Sequence, residues 1–166
     1  MNNFFIQTNQ FHLWATKRLF KTLNDVSLED YKKNCGLFFL SIHGTLNHLL
    51  VAERIWFGRF SGSAYNAKSL AEEVEPDRKK LEQLIYEIFE RWEIFLKEVP
   101  KERWNEIFEY KTMRGFEAKL PFAHTIQHVQ NHRTHHRGQI TAALTNLGYE
   151  CPELDYVYFL QETKSK

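Results

Sequence analysis

Apolar residues recur with the period of an α-helix in four long stretches of the chain. The third stretch shows the pattern best, because Leu81, Ile85, Ile88 and Trp92 fall on one stripe and charged residues occupy the opposite face. Residues typical of helix ends, such as Asn, Asp, Ser, Gly and Pro, separate the stretches. The pattern predicts four helices, near residues 3–23, 37–60, 77–99 and 121–147.

Three shorter features lie between and after these helices. Residues 107–120 alternate apolar and charged side chains around a glycine, which predicts a small β-hairpin before the last long helix. Ser69 and Glu72 have the spacing of a capping box and predict a helix start. The segment 151–166 is apolar as far as Leu160 and is expected to pack on the helices. The fold class is therefore predicted to be all-α, a four-helix bundle with one hairpin.

Length and composition narrow the class of protein further. The 166 residues suffice for one domain with a substantial core, so a single domain over 1–166 is expected. The 22 basic and 21 acidic side chains are interleaved, which disfavours a nucleic-acid partner because phosphate binding needs a concentrated positive face. No stretch has the roughly 18 consecutive apolar residues of a membrane span, and no signal peptide is evident. Two isolated cysteines favour a reducing cytoplasm.

The fourth helix carries an unusual density of histidines. At about 100° per residue, His136 lies in the middle of the apolar stripe and His132 lies about 40° from it. His128, His135 and His124 fall progressively further round the helix, at about 80° to 120°. His132 and His136 therefore form an inward pair on neighbouring turns, which can offer two imidazole nitrogens to one divalent ion.

A third ligand is expected from the second helix. His48 lies there on a face of small residues, whereas His43 is about 140° away and His12 is on another helix among polar neighbours. We therefore predict a three-histidine metal site from His48, His132 and His136. Three protein ligands leave a position open for water or substrate, as in catalytic sites. The alternative is that these are core histidines satisfied by hydrogen bonds.

Other polar side chains flank the predicted site. Gln139 and His128 can orient the ligands or a substrate, or equally make hydrogen bonds at the bundle edge. Arg137 can meet an anionic substrate, although a solvated position or an interhelical salt bridge is the commoner role for such a residue. Glu53 lies about 140° from His48 and is expected to form a salt bridge rather than to act as a general base.

The chain also resembles a known family. The resemblance is carried by HGTLNHLLVAERIWFGRF (His43 to Phe60), by HVQNHRTHHRGQI (His128 to Ile140) and by LGYECPELDYVYFL near the end. These segments are similar to the DinB family, within the DinB/YfiT-like superfamily of metalloenzymes. The resemblance implies an up-down-down-up bundle, commonly dimeric, whose metal ligands correspond here to His48, His132 and His136. Members are found with nickel or zinc, and relatives include transferases and isomerases that use low-molecular-weight thiols.

Three functional hypotheses follow. The first is a metal-dependent enzyme, a thiol S-transferase or a hydrolase, that acts on a small-molecule substrate. The second is a non-enzymatic metal-binding or stress-response protein, and the third is a plain structural bundle. A homodimer is also expected, because the second helix is apolar nearly all round and needs burial on two sides.

Overall fold

The computed structural model describes residues 1–164 and shows a helical bundle with a short hairpin. Residues 165–166, which the predicted domain includes, lie outside the described part of the chain. Within residues 1–164, no helix is both long and apolar enough to cross a membrane. The elements in chain order are α1 (Asn2–Leu23), α2 (Leu28–Lys32), α3 (Ile42–Ser61), α4 (Arg78–Glu98), a 3-10 turn (Glu102–Asn105), β1 (Ile107–Lys111), β2 (Glu117–Pro121), α5 (Phe122–Asn146) and α6 (Tyr156–Lys164).

The four long helices α1, α3, α4 and α5 run up, down, down and up. Asn2 at the start of α1 donates to the carbonyl of Val99 just after α4, so these two helices are antiparallel. The ring of Phe60, at the end of α3, lies 6.1 Å from Phe95 near the end of α4, so α3 and α4 are parallel. The same ring lies 5.2 Å from Phe122 at the start of α5. The order implied by the family resemblance is confirmed.

One helix start and one predicted helix cap differ from expectation. The stretch 37–40 forms a tight turn, and α3 begins only after Ser41, whose hydroxyl accepts from the Gly44 amide at 3.0 Å. The predicted capping box is wrong, because the Glu72 carboxylate accepts from the Lys68 amide at 2.8 Å and no helix follows. Asp77 caps α4 instead, one residue before its first turn.

The hairpin packs on the bundle through its buried face. Its strands pair antiparallel, with Ile107 opposite Pro121 and Lys111 opposite Glu117. Phe108 is buried and stacks on Phe60 of α3 with ring centroids 4.2 Å apart. The hairpin therefore covers the end of the bundle at which α5 begins, as its place in the sequence predicts.

The nearly all-round apolar character of α3 is accounted for within the chain. Four of its apolar side chains, Ile42, Leu46, Leu50 and Phe57, are buried, and Leu49 packs partly buried against the same core. Helices α4 and α5 lie on two sides of α3. The pattern that suggested a twin subunit is thus satisfied by neighbouring helices of one molecule.

A buried ion pair ties the bundle together at its centre. Arg133 of α5 donates from Nε and Nη2 to the two carboxylate oxygens of Glu53 on α3, each at 2.7 Å. Its remaining nitrogen, Nη1, donates to Asn9 of α1, whose own amide donates to the Phe89 carbonyl of α4. All four long helices are joined by this network, and the salt bridge expected for Glu53 is present.

Removing the charge of Glu53 should destabilise the fold substantially. In Glu53→Gln the Arg133 guanidinium stays buried without its counter-ion, so we expect the free energy of unfolding to fall by about 3 kcal/mol. Denaturant unfolding measures the change. The matched control is Arg18→Gln, which removes the exposed ion pair with Glu162 and should cost less than about 1 kcal/mol. Equal losses in the two variants would contradict the central role of the buried pair.

Candidate metal centre

Three imidazoles from α3 and α5 converge at one point. His132 Nε2 lies 3.3 Å from His48 Nε2 and 3.1 Å from His136 Nε2. One ligand atom from each of the three side chains lies within 4.8 Å of the others. Nitrogens that bind one tetrahedral zinc ion at 2.0–2.1 Å are separated by about 3.3 Å. The two separations from His132 therefore match those around a shared divalent ion.

Hydrogen bonds on the far side of two rings fix which nitrogen faces the cluster. His48 Nδ1 lies 2.8 Å from the Leu70 carbonyl, and His136 Nδ1 lies 2.8 Å from Gln139 Oε1. Both oxygens only accept, so each Nδ1 carries the proton and each Nε2 presents a lone pair to the centre. A proton on His132 Nε2 can be donated to only one of the other two Nε2 atoms at a time. A cation between the rings can bind all three Nε2 atoms at once.

Burial keeps these imidazoles neutral at physiological pH. Desolvation lowers the pKa of His48 to about 4 and that of His132 to about 3, and it also lowers the pKa of His136. Their mutual proximity adds to this effect. A neutral ring is the form that binds a metal ion, so at pH 7 no imidazolium has to lose its charge before the ion binds.

The turn before α3 packs a phenylalanine ring against His48. Phe39 is buried and stacks on the His48 ring, with centroids 3.7 Å apart and planes inclined by 13°. The turn brings the Phe39 carbonyl against Gly44, where a Cβ atom would lie 2.1 Å from that oxygen. Leu40 adopts a left-handed conformation, with φ of 67°, within the same turn. Gly44 is therefore required for the close approach that positions Phe39 on His48.

Substitution of Gly44 should disturb the cluster without touching a ligand. In Gly44→Ala the turn must move, the Phe39 ring loses its place on His48, and we expect Zn²⁺ affinity to fall about ten-fold or more. Competition with a chelating dye measures the affinity. Gly138→Ala on α5 is the matched control, because a Cβ there meets nothing within 4 Å. Unchanged affinity in Gly44→Ala would show that the turn does not position His48.

Two of the three flanking residues predicted from the sequence, Gln139 and His128, fall beside the cluster. Gln139 lies between two rings, because its Oε1 accepts from His136 while its Nε2 lies 3.2 Å from His135 Nε2. The His128 ring lies 6.0 Å from His132 and 5.1 Å from Trp56. Burial and the charge of a nearby arginine lower the pKa of His128. Gln139 orients a predicted ligand directly, and His128 lines the exposed edge of the site.

Arg137 does not face the cluster but turns toward α1. Its Nη1 lies 3.0 Å from His12 Nδ1, and its guanidinium lies over the Phe11 ring. Burial is the main cause that lowers the pKa of Arg137 to about 10, so this side chain remains cationic at pH 7. Neither the solvated position nor the interhelical salt bridge weighed for it is observed among residues 1–164.

Two further histidines, His12 and His43, are buried outside the cluster. The sequence predicts polar neighbours for His12, yet the side chain is buried and desolvation holds its pKa well below the ordinary value. Its spacing with Asn9 and Thr16 places a polar stripe on the inner face of α1, and this signal was available in the sequence. His43 is also buried, and its Nε2 lies 2.6 Å from a Glu73 carboxylate oxygen.

The fold and the site together define a four-helix-bundle protein with a three-histidine group suited to a metal ion. The chain belongs to the DinB family, whose model matches residues 1–166. It is 29% identical over 172 residues to Protein DinB of Bacillus subtilis (strain 168), with 100% of this chain and 99% of that protein covered.

A solved structure shows the same fold. YfiT from Bacillus subtilis, described as "a probable metal-dependent hydrolase with an unusual four-helix bundle topology", superposes with a TM-score of 0.67 at 16% identity. The match covers 90% of this chain and 89% of that one. At this low identity, the likeness establishes the fold.

Proposed function

We propose that the protein is a metal-dependent enzyme in which His48, His132 and His136 bind a divalent ion. The observation that carries this proposal is the pair of Nε2 lone pairs, fixed by Leu70 and Gln139, that point at a third imidazole nitrogen 3.1 to 3.3 Å away. If these were core histidines satisfied by hydrogen bonds alone, the Nε2 atoms of His48 and His136 would not both need to accept from the single ring of His132. YfiT, which shares the fold and is described as a probable metal-dependent hydrolase, supports the same assignment.

The ligand chemistry favours zinc or nickel as the resident ion. Imidazole nitrogen suits both metals, and no cysteine or carboxylate joins the cluster in the described part of the chain. An ion with three protein ligands keeps a position for an exogenous molecule, where it lowers the pKa of a bound water or thiol to near neutral. The neutral histidine set therefore supports nucleophile activation rather than a closed structural site.

The side chains around the cluster define what the protein contributes to the reaction. His128 and His135 are ionisable groups beside the ligands and can accept or return a proton. Gln139 holds His136 in one orientation. Such a site serves hydrolysis, with water as the nucleophile, or S-transfer from a low-molecular-weight thiol to a small electrophile. The non-enzymatic alternative, a metal-binding or stress-response protein, would use the same ligands without turnover.

Metal content and turnover of one variant pair test the proposal. His136→Ala removes a ligand, and we expect bound zinc or nickel to fall from about one ion per chain to near none. His124→Ala removes an exposed histidine of the same helix and should retain the metal. Elemental analysis of purified protein gives the result. Equal metal content in the two variants, or none in the unmodified protein after loading, would refute the site.

The reaction type is tested on the metal-loaded protein. One assay follows hydrolysis of activated esters, and the other follows conjugation of small thiols to chlorodinitrobenzene. The proposal expects turnover in one assay that His136→Ala abolishes and His124→Ala preserves. Metal binding without turnover in a broad panel of esters, amides and thiol acceptors would favour the non-enzymatic alternative.

We further propose that the protein forms a homodimer and works in a reducing compartment such as the cytoplasm. The turn before α3 leaves Phe38 83% exposed and Leu40 60% exposed beside the metal cluster, which is costly for an isolated chain. Cys35 and Cys151 are free thiols. The interleaved basic and acidic side chains disfavour a nucleic-acid partner, and a small molecule remains the expected substrate.

Light scattering checks the association. The unmodified protein should have the mass of two chains at micromolar concentration, and Phe38→Ser should shift the mass toward one chain because it removes apolar contact area. Val157→Ser, at an exposed position on α6, is the control and should leave the mass unchanged. A single-chain mass for the unmodified protein would remove the dimer.

A further inference from the structure

A second cleft lies on the face of α5 that turns away from the metal cluster. It is bounded by α1, by α5 and by the segment that leads into α6, and its volume is about 480 Å³. His12 and Arg137 lie at its base, whereas His132 and His136 face α3 on the other side of the helix. The cleft is therefore separate from the proposed metal site.

The base of the cleft carries a positive charge without a counter-ion. Arg137 is only 6% exposed, and no carboxylate among residues 1–164 lies within 4.0 Å of its guanidinium. Arg133, one turn earlier on the same helix, has Glu53 as its buried partner. A buried cation is costly when it lacks an anion, so the position beside Arg137 is complementary to a negatively charged group.

The neighbouring histidine adds a hydrogen-bond donor. A guanidinium only donates, so His12 Nδ1 must accept from Arg137 Nη1 at 3.0 Å. The neutral His12 ring then carries its proton on Nε2. Arg137 and His12, which both line the cleft, therefore supply a cation and a neutral donor, a combination that suits the two oxygens of a carboxylate.

An unsatisfied amide lies in the same wall. Gln130 is 3% exposed and its Nε2 donates to the Phe5 carbonyl at 3.1 Å, which fixes the orientation of the amide. Its Oε1 is buried and has no hydrogen-bond partner. A buried acceptor without a donor is a cost that a bound hydroxyl or amino group can remove.

The other residues that line the cleft indicate which groups the rest of the ligand should carry. Phe11, Leu154 and Tyr156 supply apolar surface, and the exposed Asp155 at the rim disfavours a second negative charge. We propose that this cleft binds a small organic monocarboxylate with an apolar tail, its carboxylate held by Arg137 and His12. The site takes a different ligand from the metal cluster and does not depend on the ion.

Calorimetric titration with 3-phenyllactate tests this proposal, with 3-phenyllactamide as the uncharged counterpart. The acid should bind with a dissociation constant of about 1 mM or tighter, and the amide at least about ten-fold more weakly, because only the acid meets the charge of Arg137. Arg137→Gln should abolish the preference for the acid. No detectable binding of the acid, or equal binding of the two compounds, would overturn the proposal.

A second variant avoids any change in the buried residues. Thr134 is an exposed rim residue of the cleft, and Thr134→Trp should block it and remove binding of the acid. Ala142→Trp adds the same side chain at an exposed position of α5 outside the lining residues and should bind as the unmodified protein does. Metal content should be unchanged in both variants. Binding that survives Thr134→Trp would place the ligand elsewhere and refute the cleft.

Discussion

The register between α3 and α5 is the constraint on which the site depends. These two helices contribute all three imidazoles, and the bidentate ion pair between Glu53 and Arg133 joins them about one turn from the cluster. Arg133 is adjacent to His132, and Glu53 follows His48 by five residues. Because the ion pair is buried and its geometry is specific, a slip of one helix past the other would leave a charge unpaired in the core. The same contact that stabilises the bundle therefore sets the spacing of the candidate ligands.

Helix α5 carries polar residues on two faces because it packs against both α3 and α1. One face presents His132 and His136 to α3, and another presents Arg133 and Arg137 to α1 and to the centre of the bundle. Each of these polar groups has a specific partner, which allows a helix poor in apolar residues to be buried on two sides. This arrangement also places two chemically different recesses on opposite sides of a single helix.

The sequence predicted the long helices, the hairpin and the inward direction of the three histidines, because helical period alone decides which side chains share a face. It also predicted that Glu53 forms a salt bridge, although the partner required the packing of two helices. The close approach of Phe39 to Gly44 could not be predicted, since it depends on a tertiary contact between a turn and a helix.

Two further misjudgements have physical reasons. A position away from the apolar stripe suggested a solvated or salt-bridged Arg137, but α1 covers that face and His12 supplies its partner. The capping box at Ser69 has the right spacing, yet Glu72 bonds the Lys68 amide within a loop. Local motifs predict structure only where the packing of the chain allows the helix to follow.

X-ray absorption spectroscopy of the zinc-loaded protein tests the central claim most directly. If His48, His132 and His136 bind the ion, the spectrum will show three imidazole nitrogens at about 2.0–2.1 Å and one further light atom. A sulfur neighbour at about 2.3 Å, or fewer than three imidazoles, would contradict a three-histidine centre in this bundle.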